Sequence, residues 1–346
     1  MLLEREVEVL TGGRPVNILV AGGAGYIGSH TCVALLEAGH AVIIVDNLVN
    51  SKKESMEQVK KITGREVVFY QVDVTNETDM ESIFSRHVID GVIHFAGLKS
   101  VGESVDKPLE YYYNNVVSTL ILAKMCSKYG VKRFIFSSSA TVYGDNKVPF
   151  AESMPLLPTT NPYGETKVMS ERVLMDFAKV NVHYSVALLR YFNPVGAHES
   201  GLLGENPNGV PNNLMPYMTQ VAKGKQAKLR VFGNDYNTID GTGVRDYLHV
   251  CDLAEGHVAA LDKVNVGVHI YNLGTGRGTS VLQLVEAFEK ANGIKLPCEI
   301  VDRRPGDIAE CYADALKAAQ ELGWTAKRDL VAMCKDAWRF EQRLLG

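Results

Sequence analysis

Short apolar runs alternate with longer amphipathic stretches through the first half of the chain. Six of these runs lack the polar alternation of half-exposed strands, as expected for strands buried on both faces of a parallel sheet. The predicted strands are 18–21, 42–45, 67–71, 91–95, 134–137 and 185–189. The predicted helices between them are 27–38, 52–62, 77–86, 109–128 and 163–179. This alternation predicts an α/β fold with a doubly wound parallel sheet of the Rossmann type.

The residue composition of the chain changes after about residue 193. Glycine, asparagine and proline are dense through 196–216, and shorter elements follow, with helices predicted near 252–263, 281–291 and 328–344. We expect residues 17–192 to form most of the sheet domain. Residues 193–346 are expected to form most of a smaller α/β lobe, with some chain crossing back. Residues 1–16 are interpreted as an extension before the first strand.

Composition narrows the class of protein. A chain of 346 residues exceeds the ~250–300 residues at which one core stops growing, so two units are expected. A net charge of −4 gives no bulk attraction to nucleic acid or anionic lipid, and no apolar run reaches the ~20 residues of a membrane span. The six cysteines lack C-x-x-C spacing, so we expect no metal site, no disulfide framework and a reducing, cytoplasmic setting.

A glycine-rich turn follows the first predicted strand and opens the first predicted helix. Gly22, Gly25 and Gly28, in VAGGAGYIG, have the spacing G-x-x-G-x-x-G. Glycines permit a tight turn and close backbone approach, and the unpaired N–H groups of a helix N-terminus bind pyrophosphate. With a strand before it and a helix after it, the motif predicts a dinucleotide site.

Polar residues follow later strands at the same predicted edge. Asp46 ends the second strand, where a carboxylate accepts from a ribose 2′-OH and repels a 2′-phosphate, so NAD is favoured over NADP. Capping of the following turn is the alternative role for Asp46. Asp73 ends the third strand and is predicted to reach the adenine end. Residues 94–97, HFAG, are predicted to line the same trough, with His94 structural because aliphatic residues surround it.

Tyr163 and Lys167, in YGETK, predict a proton-transfer site. Residues four apart on a helix share a face and can touch. A lysine ammonium about 4 Å from a tyrosine favours the phenolate by roughly 4 kcal/mol at an effective dielectric near ~20. That corresponds to up to ~3 pKa units, which brings a phenol with an ordinary pKa near ~10 towards neutrality. Taken alone, the spacing also fits a solvated surface pair.

The strand-end segment FIFSSSATVYG, residues 134–144, gives this pair a context. Its hydroxyls follow a strand at the cofactor edge, so Ser139 is predicted to donate a hydrogen bond to a substrate oxygen beside Tyr163. Tyr163 is then the base and Ser139 the residue that positions the substrate. Lys167 is the electrostatic partner of Tyr163 and the anchor of the nicotinamide ribose.

Long motifs extend from residue 17 to about residue 338: AGGAGYIGSHT, HFAGLKSVGES, FSSSATVYG, NPYGETK, LLRYFNPVGAH, PNNLMPY, FGNDY, DGTGVRDYLHV and YNLGTG. They resemble the extended short-chain dehydrogenase/reductase family, and within it the UDP-galactose 4-epimerases. The resemblance implies that a base removes the proton of the sugar 4-OH while hydride leaves C4 for NAD. The 4-keto sugar then turns over, held by its nucleotide diphosphate, and hydride returns to the other face.

The resemblance also implies which residues surround each ligand. On the cofactor side they are Gly22, Gly25, Tyr26, Ile27, Gly28, Asp46, Asn47, Asn50, Ser51, Asp73, Val74, Phe95, Ala96, Gly97, Lys99, Asn114, Ser137, Tyr163, Lys167 and Tyr191. On the substrate side they are Lys99, Ser139, Thr141, Tyr163, Asn193, Asn213, Leu214, Phe232, Arg245, Arg304, Asp307 and Cys311. Arg245 and Arg304 resemble the diphosphate clamp, Phe232 the aromatic residue beside the uracil, and Asp307 the uridine-ribose ligand.

Two positions refine the implied substrate. Val142 and Tyr143 follow Thr141, where dehydratases of the family carry an acid, so water elimination lacks its acid and base. Cys311 stands where relatives carry either a tyrosine or a small residue, and a small residue leaves room for a 2-N-acetyl group. UDP-GlcNAc and UDP-GalNAc are therefore expected substrates beside UDP-glucose and UDP-galactose. A small buried apolar Cys311 is compatible with the same cavity.

Other functions share part of this pattern. A net oxidoreductase or a decarboxylase of nucleotide sugars would carry similar motifs, and a silent NAD-sensing protein would keep the cofactor site but has no need of Tyr163. By analogy with relatives, we expect a homodimer formed by helices 109–128 and 163–179. Neither nucleic acid nor a membrane is an expected partner. The implied role is galactose metabolism and the supply of UDP-sugars.

Overall fold

The structure, a computed structural model, describes residues 15–304 and 306–344. Its strands are β1 (Asn17–Ala21), β2 (Ala41–Asp46), β3 (Val68–Gln71), β4 (Gly91–His94), β5 (Arg133–Ser137), β6 (Ser185–Tyr191), β7 (Asn193–Val195), β8 (Leu229–Phe232), β9 (Val244–Arg245), β10 (Tyr247–His249), β11 (Gly267–Leu273), β12 (Thr279–Ser280), β13 (Cys298–Val301) and β14 (Glu310–Cys311). Its helices are α1 (Tyr26–Glu37), α2 (Glu54–Thr63), α3 (Glu77–Arg86), α4 (Val101–Asp106), α5 (Pro108–Tyr129), α6 (Pro162–Val180), α7 (Leu214–Ala222), α8 (Val250–Lys263), α9 (Val281–Asn292) and α10 (Leu330–Arg343). The predicted N-terminal extension lies outside the described residues except at its last two positions.

Seven parallel strands form the central sheet, in the order β11-β6-β5-β4-β1-β2-β3. The prediction of a doubly wound α/β fold is confirmed, and each of the six strands predicted from apolar runs is present. The seventh strand, β11, is missing from the sequence prediction. Its sequence, GVHIYNL, mixes polar and apolar residues because it lies at the edge of the sheet and is only partly buried.

Two hydrophobic cores lie on opposite faces of this sheet. Successive residues of β1 point to opposite faces, and Val20 belongs to one core while Leu19 belongs to the other. The first core packs α1 and α8 against the strands through Val33 and Leu253. The second core packs α3, α5 and α6, with Leu122 at its centre. Because α8 and β11 come after residue 193, this part of the chain crosses back into the sheet domain.

Short strands and three helices form the smaller lobe. β8 pairs with β13, β9 lies between β12 and β14, and β7 pairs with β10. α7, α9 and α10 share a third core that includes Met218, Phe288 and Met333. α9 begins at a capping box, in which the Ser280 hydroxyl accepts from Gln283 N and the Gln283 side chain accepts from Ser280 N. The short strands position several predicted substrate residues, including Phe232 on β8, Arg245 on β9 and Cys311 on β14.

No helix among the described residues combines the length and apolar character that a membrane span requires. In residues 15–304 and 306–344, no three or more histidine, cysteine, aspartate or glutamate side chains are grouped so that they could hold a metal ion.

Candidate active site

One cavity lies at the carboxyl edge of the central sheet, where ligands of doubly wound folds bind. Its volume is about 300 Å³. It is lined by residues that follow β1, β2, β3, β4 and β6, together with the start of α6. Every cofactor residue predicted from the sequence lines this cavity except Ser137, which lies beneath it at the end of β5.

The turn between β1 and α1 permits close approach of a ligand. Gly22 has a φ of 78°, in the left-handed region, and its N–H donates to Val45 O at 2.7 Å. A Cβ on Gly28 would clash with Gly22 O and lie 2.8 Å from Gly23 Cα. Gly25, the residue before α1, has no side chain to cap the helix, which leaves its first N–H groups for a ligand. The residues present therefore fit the pyrophosphate of a dinucleotide.

Asp46 ties the glycine turn to the end of β2. Its Oδ2 accepts from Ala24 N at 3.0 Å, and its Oδ1 accepts from Leu48 N at 2.9 Å and from Ser51 Oγ at 2.7 Å. The turn-capping contact considered as an alternative is therefore present. A carboxylate has about four acceptor positions, so these three bonds leave capacity for a ribose hydroxyl, and that role stays a prediction.

Asp73 is an oriented acceptor in the cavity wall. Asn47 Nδ2 donates to its Oδ2 at 3.0 Å, and Thr75 donates to its Oδ1 through N at 2.8 Å and through Oγ1 at 2.6 Å. Partial burial acts to raise the pKa of Asp73, but the bonds from Thr75 and Asn47 outweigh it and lower that pKa. Asp73 is consequently ionised at neutral pH.

Glu205 is a cavity residue that sequence reasoning missed. Its Oε1 accepts from Lys99 Nζ at 3.0 Å and from Asn213 Nδ2 at 2.6 Å. Glu205 therefore joins a predicted cofactor residue to a predicted sugar contact. Burial acts to lower the pKa of Lys99, but the Glu205 carboxylate outweighs it and raises that pKa. The sequence feature that points to Glu205 is an acid within the glycine- and asparagine-rich segment 196–216.

Tyr163 and Lys167 lie on the buried face of the first turns of α6. Asn161 caps this helix by accepting from Gly164 N at 2.9 Å, and proline occupies its first position. Lys167 Nζ donates to Ser137 O at 2.7 Å and lies 5.8 Å from the centre of the Tyr163 ring. Both side chains line the cavity that contains the glycine turn.

Ser139 precedes a short 3₁₀ helix, Ala140–Tyr143, at the end of β5. Its Oγ accepts from Thr141 Oγ1 at 3.0 Å and from Thr141 N at 3.3 Å. These two bonds orient the Ser139 hydroxyl and leave its own proton for another acceptor. Ser139 also acts to lower the pKa of Tyr163 through a side-chain hydrogen bond.

The pKa of Tyr163 shifts in the direction opposite to the expectation from sequence. Burial raises it far above its ordinary value, Tyr191 adds to this, and Ser139 opposes it. Burial also lowers the pKa of Lys167 to about 8, with Glu171 opposing. Spacing along a helix does not reveal desolvation, which dominates both groups here. At neutral pH the phenol is protonated and most of the lysine is charged.

His94 packs inside the sheet domain, where a hydroxyl and two aromatic rings are among its neighbours. Its Nε2 lies 3.1 Å from Thr119 Oγ1, and its ring packs against Phe134 and Phe136. Burial, with a smaller effect of the Lys167 charge, lowers the pKa of His94 to about 3. The imidazole is therefore neutral at physiological pH.

A second group of predicted site residues lies in the smaller lobe and does not line the cavity. Arg304 Cζ lies 3.9 Å from the centre of the Phe232 ring, and Arg245 Nη2 lies 3.8 Å from Asp307 Oδ1. Burial lowers the pKa of Arg304, Asp307 opposes, and Arg230 and Arg245 act in the same direction as burial. Clustered guanidinium groups beside an aromatic ring suit a nucleotide diphosphate.

The remaining predicted substrate residues stand at the ends of elements. Asn193 begins β7, Leu214 begins α7, and Asn213 is the residue before that helix. Cys311 ends β14 and is the register partner of Arg245 on β9. Burial raises the pKa of Cys311 to about 12, so its thiol is neutral. The β-pairing thus brings Cys311 beside the arginine cluster.

Comparison with known proteins agrees with this geometry. The profile of the NAD dependent epimerase/dehydratase family matches residues 18–274. UDP-glucose 4-epimerase from Bacillus subtilis is 58% identical over 327 residues, which cover 94% of this chain and 96% of that relative. The chain belongs to the NAD dependent epimerase/dehydratase family.

Solved members of this family have the same fold. UDP-glucose 4-epimerase from Bifidobacterium longum, in complex with NAD+ and UDP, has a TM-score of 0.92 and 53% identity, covering 94% of this chain and 98% of that one. The UDP-Glc/GlcNAc 4-epimerase from Campylobacter jejuni has a TM-score of 0.82 and 39% identity, covering 95% and 100%. The family resemblance predicted from the motifs is confirmed, and so is NAD as the cofactor.

Proposed function

We propose that this chain interconverts UDP-galactose and UDP-glucose by inverting C4 through a transient 4-keto sugar. The observation that carries the proposal is the presence of Tyr163 and Lys167 in the same cavity as the glycine turn. Ser139, at the end of the adjoining strand, completes the predicted set. The relatives from Bacillus subtilis and Bifidobacterium longum, both named UDP-glucose 4-epimerase, support the same reaction.

When bound, NAD would supply a hydride acceptor for C4 and afterwards a hydride donor, so the cycle would have no net oxidation. The glycine turn would hold the pyrophosphate, Asp46 a ribose hydroxyl, and Lys167 the nicotinamide ribose. The uncapped start of α1 and the missing side chains at Gly22, Gly25 and Gly28 fit this assignment.

Tyr163 exchanges the proton on the sugar 4-oxygen. In the oxidative half the phenolate form of Tyr163, which the Lys167 ammonium favours, takes the proton of the 4-hydroxyl and becomes the neutral phenol. In the reductive half the protonated phenol, which burial favours, returns a proton to the 4-keto oxygen. Ser139, oriented by Thr141, donates a hydrogen bond to the same oxygen.

Inversion requires that the keto sugar turns while its nucleotide stays bound. Arg245 and Arg304 are assigned to the diphosphate, where guanidinium forks bind phosphate oxygens well. Phe232 is assigned to the uracil and Asp307 to the uridine ribose. The sugar itself is assigned to polar and small contacts that allow rotation: Lys99, Thr141, Asn193, Asn213 and Leu214.

The proposal is tested with purified protein and UDP-galactose, without added NAD. Proton NMR of the anomeric position separates the two isomers, which have equal mass. We expect the same mixture to be reached from either isomer, with no accumulation of NADH. Net NADH or carbon dioxide would instead identify an oxidoreductase or a decarboxylase. Bound NAD without conversion would support the NAD-sensing alternative.

The proposal extends to UDP-GlcNAc and UDP-GalNAc. Cys311 is the register partner of Arg245, and its small side chain would leave room for the 2-N-acetyl group of a sugar bound there. The Campylobacter jejuni relative, named a UDP-Glc/GlcNAc 4-epimerase, supports the extension. Cys311→Tyr is expected to reduce turnover of UDP-GalNAc by about tenfold or more, as steric discrimination does, and to leave UDP-galactose turnover near wild type.

The exposed Cys298 provides a matched control for this substitution. Cys298→Tyr adds the same ring on β13 and should change neither activity. If the wild-type protein turns over UDP-galactose but not UDP-GalNAc, the extension is wrong.

We also propose a homodimer formed through α5 and α6. A groove between these helices is bordered by exposed apolar side chains, including Leu120 and Val180. Leu120→Asp should reduce the mass measured by light scattering to that of a monomer. A monomeric wild-type protein would contradict the assignment.

The proposed epimerase function also includes a cytoplasmic setting and a role in galactose metabolism and UDP-sugar supply.

A further inference from the structure

Three buried polar side chains lie directly behind Lys167 and have no part in the proposed proton transfer. Glu171 is one turn beyond Lys167 on α6, and Arg190 is on β6; their side chains are 1% and 2% exposed. Ser138, at the end of β5, is fully buried. Burying two charges so far from solvent carries a large desolvation penalty. Replacing such an ion pair by apolar residues of similar volume often leaves the stability of a protein unchanged or increases it. A buried ion pair of this kind is therefore weak evidence for a purely stabilising role.

Glu171 binds both of the other residues. Arg190 donates through Nε to Glu171 Oε1 at 2.9 Å and through Nη2 to Oε2 at 2.6 Å, which is a bidentate pair. Ser138 Oγ donates to Glu171 Oε1 at 2.6 Å. Arg190 Cζ also lies 4.8 Å from the centre of the Tyr143 ring. The carboxylate is consequently fixed by contacts from β5 and β6.

Ser138 stands between two residues of the proposed site. On one side, Ser137 O accepts from Lys167 Nζ at 2.7 Å. On the other side, Ser139 carries the hydroxyl assigned to the sugar oxygen. The backbone N–H of Ser138 donates to Leu189 O at 2.8 Å. Because Glu171 holds the middle residue, it holds the segment that places both neighbours.

We infer that Glu171, fixed by Arg190, is a positioning residue with two effects on the site. Through Ser138 it fixes the strand end that places the Ser137 carbonyl and the Ser139 hydroxyl. Through its charge it keeps Lys167 in the ammonium form. The consequence for turnover rests on the proposed function, whereas the effect on the Lys167 charge does not.

Among the titratable groups near Lys167, Glu171 is the one whose charge raises the pKa of the lysine. On α6, the Tyr163 ring centre lies 5.8 Å from Lys167 Nζ, and Glu171 lies one turn beyond Lys167. His94 on β4 is affected by the Lys167 charge, Arg190 on β6 is bound to Glu171, and Tyr191 on β6 lines the same cavity as Lys167. Burial lowers the pKa of His94 to about 3 and raises the pKa of Tyr191, so both are neutral near pH 7. Burial also lowers the pKa of Lys167, and the Glu171 carboxylate is the charge that opposes it.

The test compares Glu171→Gln with wild type in the NAD-loaded protein. Glutamine keeps an acceptor for Ser138 and removes the negative charge. With ¹³C at lysine Cε, the Lys167 resonance is assigned by its loss in Lys167→Arg and followed against pH. We expect its midpoint to fall by about one pH unit in Glu171→Gln. The pH midpoint at which kcat for UDP-galactose falls on the alkaline side should decrease by the same amount. An unmoved midpoint overturns the inference.

Two further variants separate charge from anchoring. Ser138→Ala removes the anchor and keeps the ion pair, so kcat should fall by roughly fivefold to tenfold while the Lys167 midpoint stays in place. Glu171→Gln combined with Arg190→Gln removes both charges of the ion pair, so neither partner is left buried and unpaired. This variant should fold and still show a lowered Lys167 midpoint. An equal midpoint shift in Ser138→Ala would indicate general loosening and contradict the inference.

The two readouts also separate this inference from the proposed function. A wild-type protein without UDP-hexose turnover contradicts the proposed function, and the NMR midpoints then decide the inference. An active wild-type protein whose midpoint does not respond to Glu171→Gln contradicts the inference and leaves the proposed function standing.

Discussion

The cofactor side and the substrate side of the proposed site are assembled in different ways. The cofactor side occupies the ends of neighbouring strands in one sheet, and its residues occur in short segments such as 22–28 and 46–51. The substrate side draws on β7, β8, β9 and β14, which belong to three separate small sheets. Contiguous motifs can therefore identify the first region, whereas the second exists only after long-range pairing.

Tyr163 lies where the two regions meet, and its removal should have the largest effect. Tyr163→Phe removes the hydroxyl that exchanges the proton, so kcat should fall by ~10²–10⁴. Bound NAD should be unchanged, because the glycine turn is untouched. Anomeric NMR measures turnover, and absorbance after denaturation measures bound NAD. Turnover near wild type would remove Tyr163 from the role of base.

Gly28→Ala should weaken NAD binding and destabilise the glycine turn. The added Cβ meets backbone atoms of Gly22 and Gly23, which cannot move without opening the turn. We expect the free energy of unfolding to fall by about 1–3 kcal/mol, with less NAD retained on purification. Urea unfolding with and without added NAD measures both effects.

Gly102 is the matched control for this substitution, because a Cβ there meets nothing within 4 Å. Gly102→Ala, in the first turn of α4, should leave stability and bound NAD near wild type. Equal effects of the two alanines would mean that the glycine turn is not the sensitive position.

Arg304→Met should weaken the binding of UDP-galactose, with a smaller effect than Tyr163→Phe or Gly28→Ala. Loss of one charged hydrogen-bond donor to a phosphate raises the KM for UDP-galactose by about tenfold, and bound NAD should be unchanged. Steady-state kinetics measures the KM.

Arg303 is the matched control, since it stacks on Tyr236 as Arg304 stacks on Phe232 but bonds to Asp235. Arg303→Met should leave the KM for UDP-galactose near wild type. Equal increases in the two variants would point to a general electrostatic effect instead of a specific contact.

The sequence was sufficient wherever local pattern and structure coincide. The apolar runs identify six strands of the central sheet, and strand–glycine–helix order places Gly22, Gly25 and Gly28 at its edge. The i, i+4 spacing of Tyr163 and Lys167 places both on one helical face. Each of these inferences needs only neighbours in sequence, together with the rule that ligands bind at the carboxyl ends of parallel strands.

What the sequence did not reveal depends on contacts between distant residues. Glu205 meets Lys99, 106 positions away in sequence, only in the folded chain, where it also meets Asn213. The ion pair of Glu171 and Arg190 joins a helix to a strand. Desolvation of Tyr163 reverses the direction of its pKa shift. None of these follows from spacing, because burial is a property of the complete packing.

The late position of β11 in the chain has a consequence for biosynthesis. β6 pairs with β5 on one side and with β11 on the other, and about eighty residues separate the end of β6 from the end of β11. Until β11 emerges from the ribosome, the backbone groups along that side of β6 have no strand partner and can recruit another chain. α8, which covers α1, emerges just before β11. The nascent chain therefore has an unpaired strand edge on β6 from the synthesis of that strand until β11 arrives.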